Sequence, residues 1–188
     1  MSSTRADQIL DVAEKKMRKG GFDAVSFRDI AAAIGIKSAS VHYHFPTKGD
    51  LGRAVVLRYA DRFMDAMGAP DAPAETPADR IARLAKGYLT AFQKDRSLCL
   101  CTGLGAVAGH LPDDTAIQVE AFYIRLSKWI AAALQTAPLP GDKPGLTPAM
   151  VIATLQGAMV LAVVAKDESP LAEAGAFLAG ASRKHAAV

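Results

Sequence analysis

Hydrophobic positions along this chain recur at intervals of three and four, the period of an α-helix with one buried stripe. In the first such segment Ala6, Ile9, Leu10, Ala13 and Met17 share a face, Lys15, Lys16, Arg18 and Lys19 fill the last turn, and Gly20-Gly21 ends the run. Phe27 to Ile34 predicts a short second helix that stops at Gly35. A third starts at Ser38 and must finish by Phe45, because Pro46 disfavours helical geometry in the residue before it. The fourth runs from Lys48 to about Met67. Helix starts carry their own mark, a hydroxyl residue followed three places later by aspartate, at Thr4/Asp7, Ser26/Asp29, Thr47/Asp50 and Thr76/Asp79. The hydroxyl caps free N–H groups, and the carboxylate sits in the positive first turn.

Gly68 to Pro77 holds three prolines and two acids and reads as a connector between subdomains. Beyond it the helical spacing returns, with Ile81, Leu84, Ala85, Tyr88 and Phe92 in one helix and Phe122, Leu126, Trp129, Ile130 and Leu134 in another. Pro138 to Pro148 is a Pro/Gly loop. Thr147-Pro148 and Ser169-Pro170 each look like a cap followed by proline at the first helical position, and they open two last helices, near Pro148 to Lys166 and Pro170 to Lys184. The expected fold class is all-α, with about nine helices and no internal repeat.

Composition narrows the class. A chain of 188 residues with 51% hydrophobic and 22% charged residues is one or two folded domains and not a disordered segment. The N-terminus lacks the apolar core of a secretory signal. The segment nearest to a membrane span, Ala149 to Ala165, is interrupted by Thr154, Gln156 and Gly157 and reads as a buried helix, so no membrane partner is expected. Two cysteines, Cys99 and Cys101, are too few and too close for a disulfide framework, which makes a reducing cytoplasm the default. Charge is uneven: up to Met64 there are eleven Lys and Arg against seven Asp and Glu, and from Asp65 onward eleven against twelve. A basic front third suits a polyanion, although solvated basic surfaces are common.

Ser26 to Phe45, SFRDIAAAIGIKSASVHYHF, is a short helix, a three-residue turn Gly35-Ile36-Lys37 and a second short helix, the layout of a helix-turn-helix. At 100° per residue Val41 and Phe45 fall together and can pack on Ile30 and Ile34. The other side then presents Ala39, Ser40 and Tyr43, flanked by His42 and His44, with Lys37 and Ser38 at the N-terminal end. Small and hydrogen-bonding groups at the start of such a helix are the ones that reach base edges in a major groove. Lys48 stands in the first turn of a helix, where the macrodipole disfavours a cation unless an anion such as phosphate lies there too. Pro46-Thr47-Lys48 is therefore expected to form a backbone clamp for phosphate. Arg28, in the same electrostatic position one element earlier, can reach guanine as a bidentate donor or pair with Asp29 or Asp50.

Phe22 through Leu51, FDAVSFRDIAAAIGIKSASVHYHFPTKGDL, resembles the DNA-binding domain of the tetracycline-repressor (TetR) family of bacterial transcriptional regulators, and its ending Tyr43-His44-Phe45-Pro46-Thr47-Lys48 is highly characteristic. The resemblance implies a cytoplasmic, homodimeric, non-enzymatic regulator on double-stranded DNA with a palindromic operator. A repressor released by a small-molecule effector is the expectation. Residues 1–48 would form the DNA-binding domain, 49–188 the effector-binding and dimerisation domain, and helix 48–67 the connection. Carried over one by one, Arg28, Lys37, Ser38, Ala39, Ser40 and Tyr43 are candidates for base edges. Ser26, His42, His44, Thr47 and Lys48 are candidates for phosphate. His42 stands where the family usually has tyrosine, and Gly49 where an acidic residue is common.

The C-terminal two thirds says less. Tyr88, Phe92, Phe122, Tyr123 and Trp129, with Phe63, Met67 and Cys99, can line an apolar effector pocket or form plain core. The helix around Gly157, Ala158, Leu161 and Ala162 is apolar on nearly every side and needs a second cover, so these residues together with Leu171, Phe177 and Leu178 are the expected dimer interface. Cys99 and Cys101 can be buried thiols, or one can be a sensor if it is exposed in a positive setting. No metal site and no cofactor is expected. The rival reading is a nucleotide-cofactor oxidoreductase built on Gly103, Gly105 and Ala108, which requires Ser97 to Thr102 to be a strand within a parallel sheet.

Overall fold

The computed structural model describes residues 4–134 and 145–186. The elements are α1 (Arg5–Gly20), α2 (Phe27–Ile34), α3 (Ser38–His44), α4 (Lys48–Met67), α5 (Pro77–Asp95), α6 (Leu100–Gly105), α7 (Asp113–Leu134), α8 (Pro148–Ala165) and α9 (Ser169–Ala186), with short 3-10 turns at Phe22–Ala24 and Ala108–His110. No strand occurs among the described residues, in keeping with the all-α expectation. The rival reading needed a strand at Ser97 to Thr102. Instead α6 begins inside that stretch and carries Gly103 and Gly105, so no strand feeds the glycine run and the crossover has no basis. The expected loop at Pro138 to Pro148 lies largely outside the described residues.

The helix starts follow the hydroxyl-to-aspartate rule. Thr4, Ser26, Thr47 and Thr76 each accept a hydrogen bond from the backbone N–H of the aspartate three residues on, at 3.1, 3.1, 3.0 and 3.2 Å. Thr147 does the same for Met150, with Pro148 at the first helical position. Between α2 and α3, Gly35 takes φ 68° and ψ 39°, a left-handed conformation that an L side chain disfavours. The Ile36 N–H then donates back to the Ala31 carbonyl at 3.0 Å, which closes α2 and frees the chain to turn.

Packing divides the chain into two compact units, residues 1–62 with 100–122 and residues 63–99 with 123–188. Most of α4 and the segment 100–122 pack with the N-terminal helices in the first of these units. In the first unit Ile9, Ala13, Ile30, Val41, Leu51, Val55 and Leu104 are fully or almost fully buried. The packing of Val41 and Phe45 toward Ile30 follows the helical wheel, although Ile34 is only half-buried. Ion pairs add to this core. On α4, Arg58 reaches Asp11 of α1 at 2.7 Å, and Arg62 takes both carboxylate oxygens of Glu14 at 2.6 and 2.8 Å.

The second unit buries Ile81, Leu84, Tyr88 and Phe92 of α5 against α8 and α9. α8 is long and apolar enough to cross a membrane by length and composition, yet it packs on α5 and α9 and is one-third buried. The residues expected at the dimer interface differ in exposure within this unit. Ala158, Ala162, Leu171 and Leu178 are buried, whereas Leu161 and Phe177 are 61% and 66% exposed and Gly157, one helical turn before Leu161, is exposed too. The uncovered apolar surface on these helices also includes Val160 and Val164.

Candidate nucleic-acid interface

The outward face of α3 is what the wheel predicts. Val41 is fully buried, which turns Ala39 and Tyr43 out to solvent, and Tyr43 is 85% exposed. Ser38 and Ser40 are half-buried on the flanks. Lys37 precedes α3 as a residue without a side-chain capping bond, and its side chain is exposed. Arg28 is exposed in the first turn of α2 and pairs with neither Asp29 nor Asp50. Its guanidinium is thus left available for an external acceptor.

His42 and His44 are both exposed, but their rings are not equivalent. The imidazole of His42 meets the Phe27 ring edge-on with centroids 4.5 Å apart, and its Nδ1 lies 3.4 Å from the Pro46 carbonyl oxygen. Standing where tyrosine is usual, His42 thus keeps an aromatic contact with α2. His44 lies edge-on to Tyr43 at 5.3 Å.

The phosphate clamp expected at Pro46-Thr47-Lys48 is filled from within. Asp50 accepts from the Thr47 backbone N–H at 3.0 Å and from its hydroxyl at 2.7 Å, while that hydroxyl accepts from the Asp50 N–H. The reciprocal cap therefore occupies the Thr47 donors. The Asp50 carboxylate thus takes the Thr47 donors that were expected to meet a phosphate. The unfavourable place of Lys48 at a helix start is resolved by two groups that the sequence reading missed. The Asp23 carboxylate lies 3.3 Å from Nζ, and the Phe22 ring lies under it at 4.6 Å.

Phe22 is itself fixed by a notch in α4. A Cβ built on Gly52 would stand 2.6 Å from Thr115 Oγ1 and 2.7 Å from Phe22 Cε2, distances that real Cβ atoms do not adopt. A Cβ on Gly49 would come within 3.3 Å of the Pro112 ring. The Thr115 hydroxyl donates to the Gly49 carbonyl at 3.3 Å. Gly49 and Gly52 thus admit the first turn of α7 to the N-terminal part of α4, and the same contact holds the ring that carries Lys48. This accounts for glycine where an acidic residue is common.

All but one of the expected effector-pocket residues are buried or half-buried in the second unit. Phe122 is buried in the first unit, where it packs against Tyr59 at 6.4 Å between ring centroids. Phe63, Met67, Tyr88, Phe92, Cys99 and Trp129 are buried in the second, with Tyr123 half-buried. There Phe63 meets Tyr88 edge-on at 5.4 Å, and the Trp129 indole N–H donates to the Gly68 carbonyl at 2.7 Å. Trp129 is thereby tied to the connector. A short polar chain crosses this core: the Tyr123 hydroxyl donates to Gln156 Oε1 at 3.0 Å, and Gln156 Nε2 donates to the Tyr88 hydroxyl at 3.5 Å. Gln156 was singled out in the sequence only as a break in an apolar run.

Cys99 and Cys101 are fully buried free thiols, and the Cys99 backbone N–H donates to Met159 Sδ at 3.0 Å. The exposure that a sensor cysteine needs is absent at both positions, which favours the buried-thiol reading. Among the described residues no group of three or more His, Cys, Asp or Glu side chains is arranged to hold a metal ion.

A helix-turn-helix with a bare recognition face, joined to a larger helical body, defines the class of bacterial helical regulators. Residues 9–55 match the family model described as bacterial regulatory proteins, tetR family. Over 57 residues the chain is 40% identical to the HTH-type transcriptional repressor ComR of Escherichia coli strain K12, a match that spans 30% of this chain and 27% of that protein. Two solved structures are similar over nearly the whole length. A TetR transcriptional regulator from Legionella pneumophila has a TM-score of 0.84 at 28% identity, covering 94% of this chain and 96% of that one. A TetR-family regulator from Agrobacterium tumefaciens has a TM-score of 0.83 at 25% identity, covering 93% and 95%. Residues 9–55 thus carry a DNA-binding segment of the tetR family, and the fold over nearly the whole length is that of solved TetR-family regulators.

Proposed function

We propose that this protein is a cytoplasmic, homodimeric transcriptional repressor that binds a palindromic DNA operator and is released from it by a small molecule. The observation that carries the DNA reading is the outward side of α3, where Ala39 and Tyr43 are exposed while Val41 anchors the helix from behind. Arg28, Lys37, Ser38, Ala39, Ser40 and Tyr43 read base edges, and Lys48, Ser26, His42, His44 and Thr47 lie along the backbone. Thr47 contributes through the cap that it shares with Asp50 and not through a free donor. Repression, rather than activation, is supported by the E. coli relative, which is a transcriptional repressor.

Dimerisation supplies the second recognition helix, about 34 Å from the first, as a two-fold operator requires. The exposed side chains of Leu161 and Phe177, with Gly157, support α8 and α9 as the meeting surface. The effector binds in the second unit, beside Tyr88, Tyr123 and Gln156. Hydroxyl and amide groups in an otherwise apolar core suit a neutral molecule with one or two hydrogen-bonding atoms. It acts only through unequal affinity for the operator-competent and incompetent dimers.

Selection of bound fragments from genomic DNA tests this reading. The expected result is one palindromic motif whose recognition is lost in a Tyr43→Ala, Arg28→Ala double variant. Equal retention of all fragments at physiological salt would overturn sequence-specific binding. A screen for compounds that release the selected fragment then identifies the effector.

A further inference from the structure

Charge is sorted around α1. Its acids face α4, where Asp11 and Glu14 are taken by Arg58 and Arg62. Arg18 is buried on that same side, while Lys15, Lys16 and Lys19 stand on the adjoining one. Lys15, Lys16 and Lys19 rim a cavity of about 470 Å³ whose floor is Val12 of α1, Ala24 of the Phe22–Ala24 turn and Ala33 of α2. No carboxylate lines this groove, and none of the three lysines forms an ion pair among the described residues. Ala24 and Ala33 are exposed to solvent in it.

Contact with DNA does not explain these cations. Ala33 lies five residues after Arg28, about 140° around α2 at 100° per residue, so the groove and the Arg28 side chain leave α2 on different sides. Lysines in the last turn of α1 do offset its macrodipole, but that role requires no apolar floor between them. Lysine stems cover apolar surface while their ammonium groups reach outward. The groove therefore offers an apolar bed with a cationic rim, in the size range of small-molecule sites, roughly 300 to 1,000 Å³.

We propose that this groove is a binding site for a small anionic amphiphile, a molecule with an apolar body and a carboxylate, sulfate or phosphate head. The body lies on Val12, Ala24 and Ala33, and the head is shared by Lys15, Lys16 and Lys19. The site lies wholly in the first unit and is separate from the effector site proposed for the second.

The test uses the full chain without DNA and decanoate as probe, below its micellar concentration, with neutral decanol and cationic decyltrimethylammonium as comparisons. Calorimetry gives affinity, and NMR shifts of the Val12, Ala24 and Ala33 methyl groups give location. Decanoate is expected to bind about tenfold tighter than decanol, with shifts at all three methyls, and to weaken about tenfold in Lys15→Gln/Lys16→Gln/Lys19→Gln or in 0.5 M salt. Ala33→Leu, which fills the floor, is expected to block decanoate while leaving operator affinity and thermal stability unchanged. Equal binding of decanol or of the cation, unchanged affinity in the triple variant, or shifts confined to the second unit would each overturn the site. Because operator binding is measured separately, failure here leaves the DNA reading untouched.

Discussion

Lys48 carries its ammonium 3.3 Å from the carboxylate of Asp23, a side chain that is 98% exposed and held by no other charge among the described residues. If Lys48 grips phosphate, Asp23 competes with the duplex for it and then repels the phosphate that replaces it. Asp23→Asn is expected to tighten binding to any duplex by about two- to fivefold at low salt, the modest range of an exposed pair. Lys48→Ala is expected to weaken all sequences alike and to flatten the salt slope by about one unit. In the double variant the gain from Asp23→Asn shrinks. Fluorescence anisotropy across a salt series checks the cycle, and an unchanged gain without Lys48 would mean that Asp23 acts only through overall charge.

Gly52 is a packing residue and not a flexible one. In Gly52→Ala the new methyl meets Thr115 and Phe22 at once, so the variant is expected to lose about 1 to 3 kcal/mol of unfolding free energy, the usual range for overpacking. Gly157→Ala, where nothing lies within 4 Å, is expected to be neutral or slightly stabilising within the subunit because alanine is the better helix former. Urea unfolding of the two variants side by side separates the cases.

The uncovered side of α8 and α9 gives a solution-state prediction. Leu161→Glu with Phe177→Glu places two charges on exposed surface, so each subunit should keep its helix content, while sedimentation shifts from dimer to monomer. Operator affinity should fall with it, because half-sites are then bound singly.

Acid should loosen the start of α1. The Thr4 hydroxyl and then its backbone N–H, hydrogen-bonded to Asp7, hold that carboxyl below its ordinary value, with a smaller contribution from Arg58. A carboxyl whose folded value is depressed adds stability that is present above the unfolded value, near pH 4, and is lost as pH falls through the folded one. The stability gap between the parent and Asp7→Asn is therefore expected at pH 7 and should shrink at an acid pH below the folded value. Parallel urea titrations at the two pH values measure it.

Local signals carried most of the fold. The hydroxyl-to-aspartate pairs located four helix starts because capping is decided within three residues of chain, and Gly35 and Pro46 bounded α2 and α3 for equally local reasons. The recognition face was legible because a wheel needs only the helix bounds. Contacts between distant segments were not. Nothing near Lys48 in the chain announces Asp23, twenty-five positions earlier, although the awkward charge at a helix start said that some anion was due. The reciprocal bond between Asp50 and Thr47 was visible as a cap but not as a competitor for phosphate. Gly49 looked like a departure until Pro112 showed what it makes room for. On α8, apolar side chains all round gave no phase, so sequence alone did not separate the inward Ala158 and Ala162 from the outward Leu161.

The notch at Gly49 and Gly52 also bears on heredity. One extra methyl at position 52 is expected to displace the aromatic ring beneath the Lys48 ammonium without altering any side chain of α3. Spontaneous alleles that abolish DNA binding are thus expected to include changes at the Gly49 and Gly52 codons inside the fourth helix.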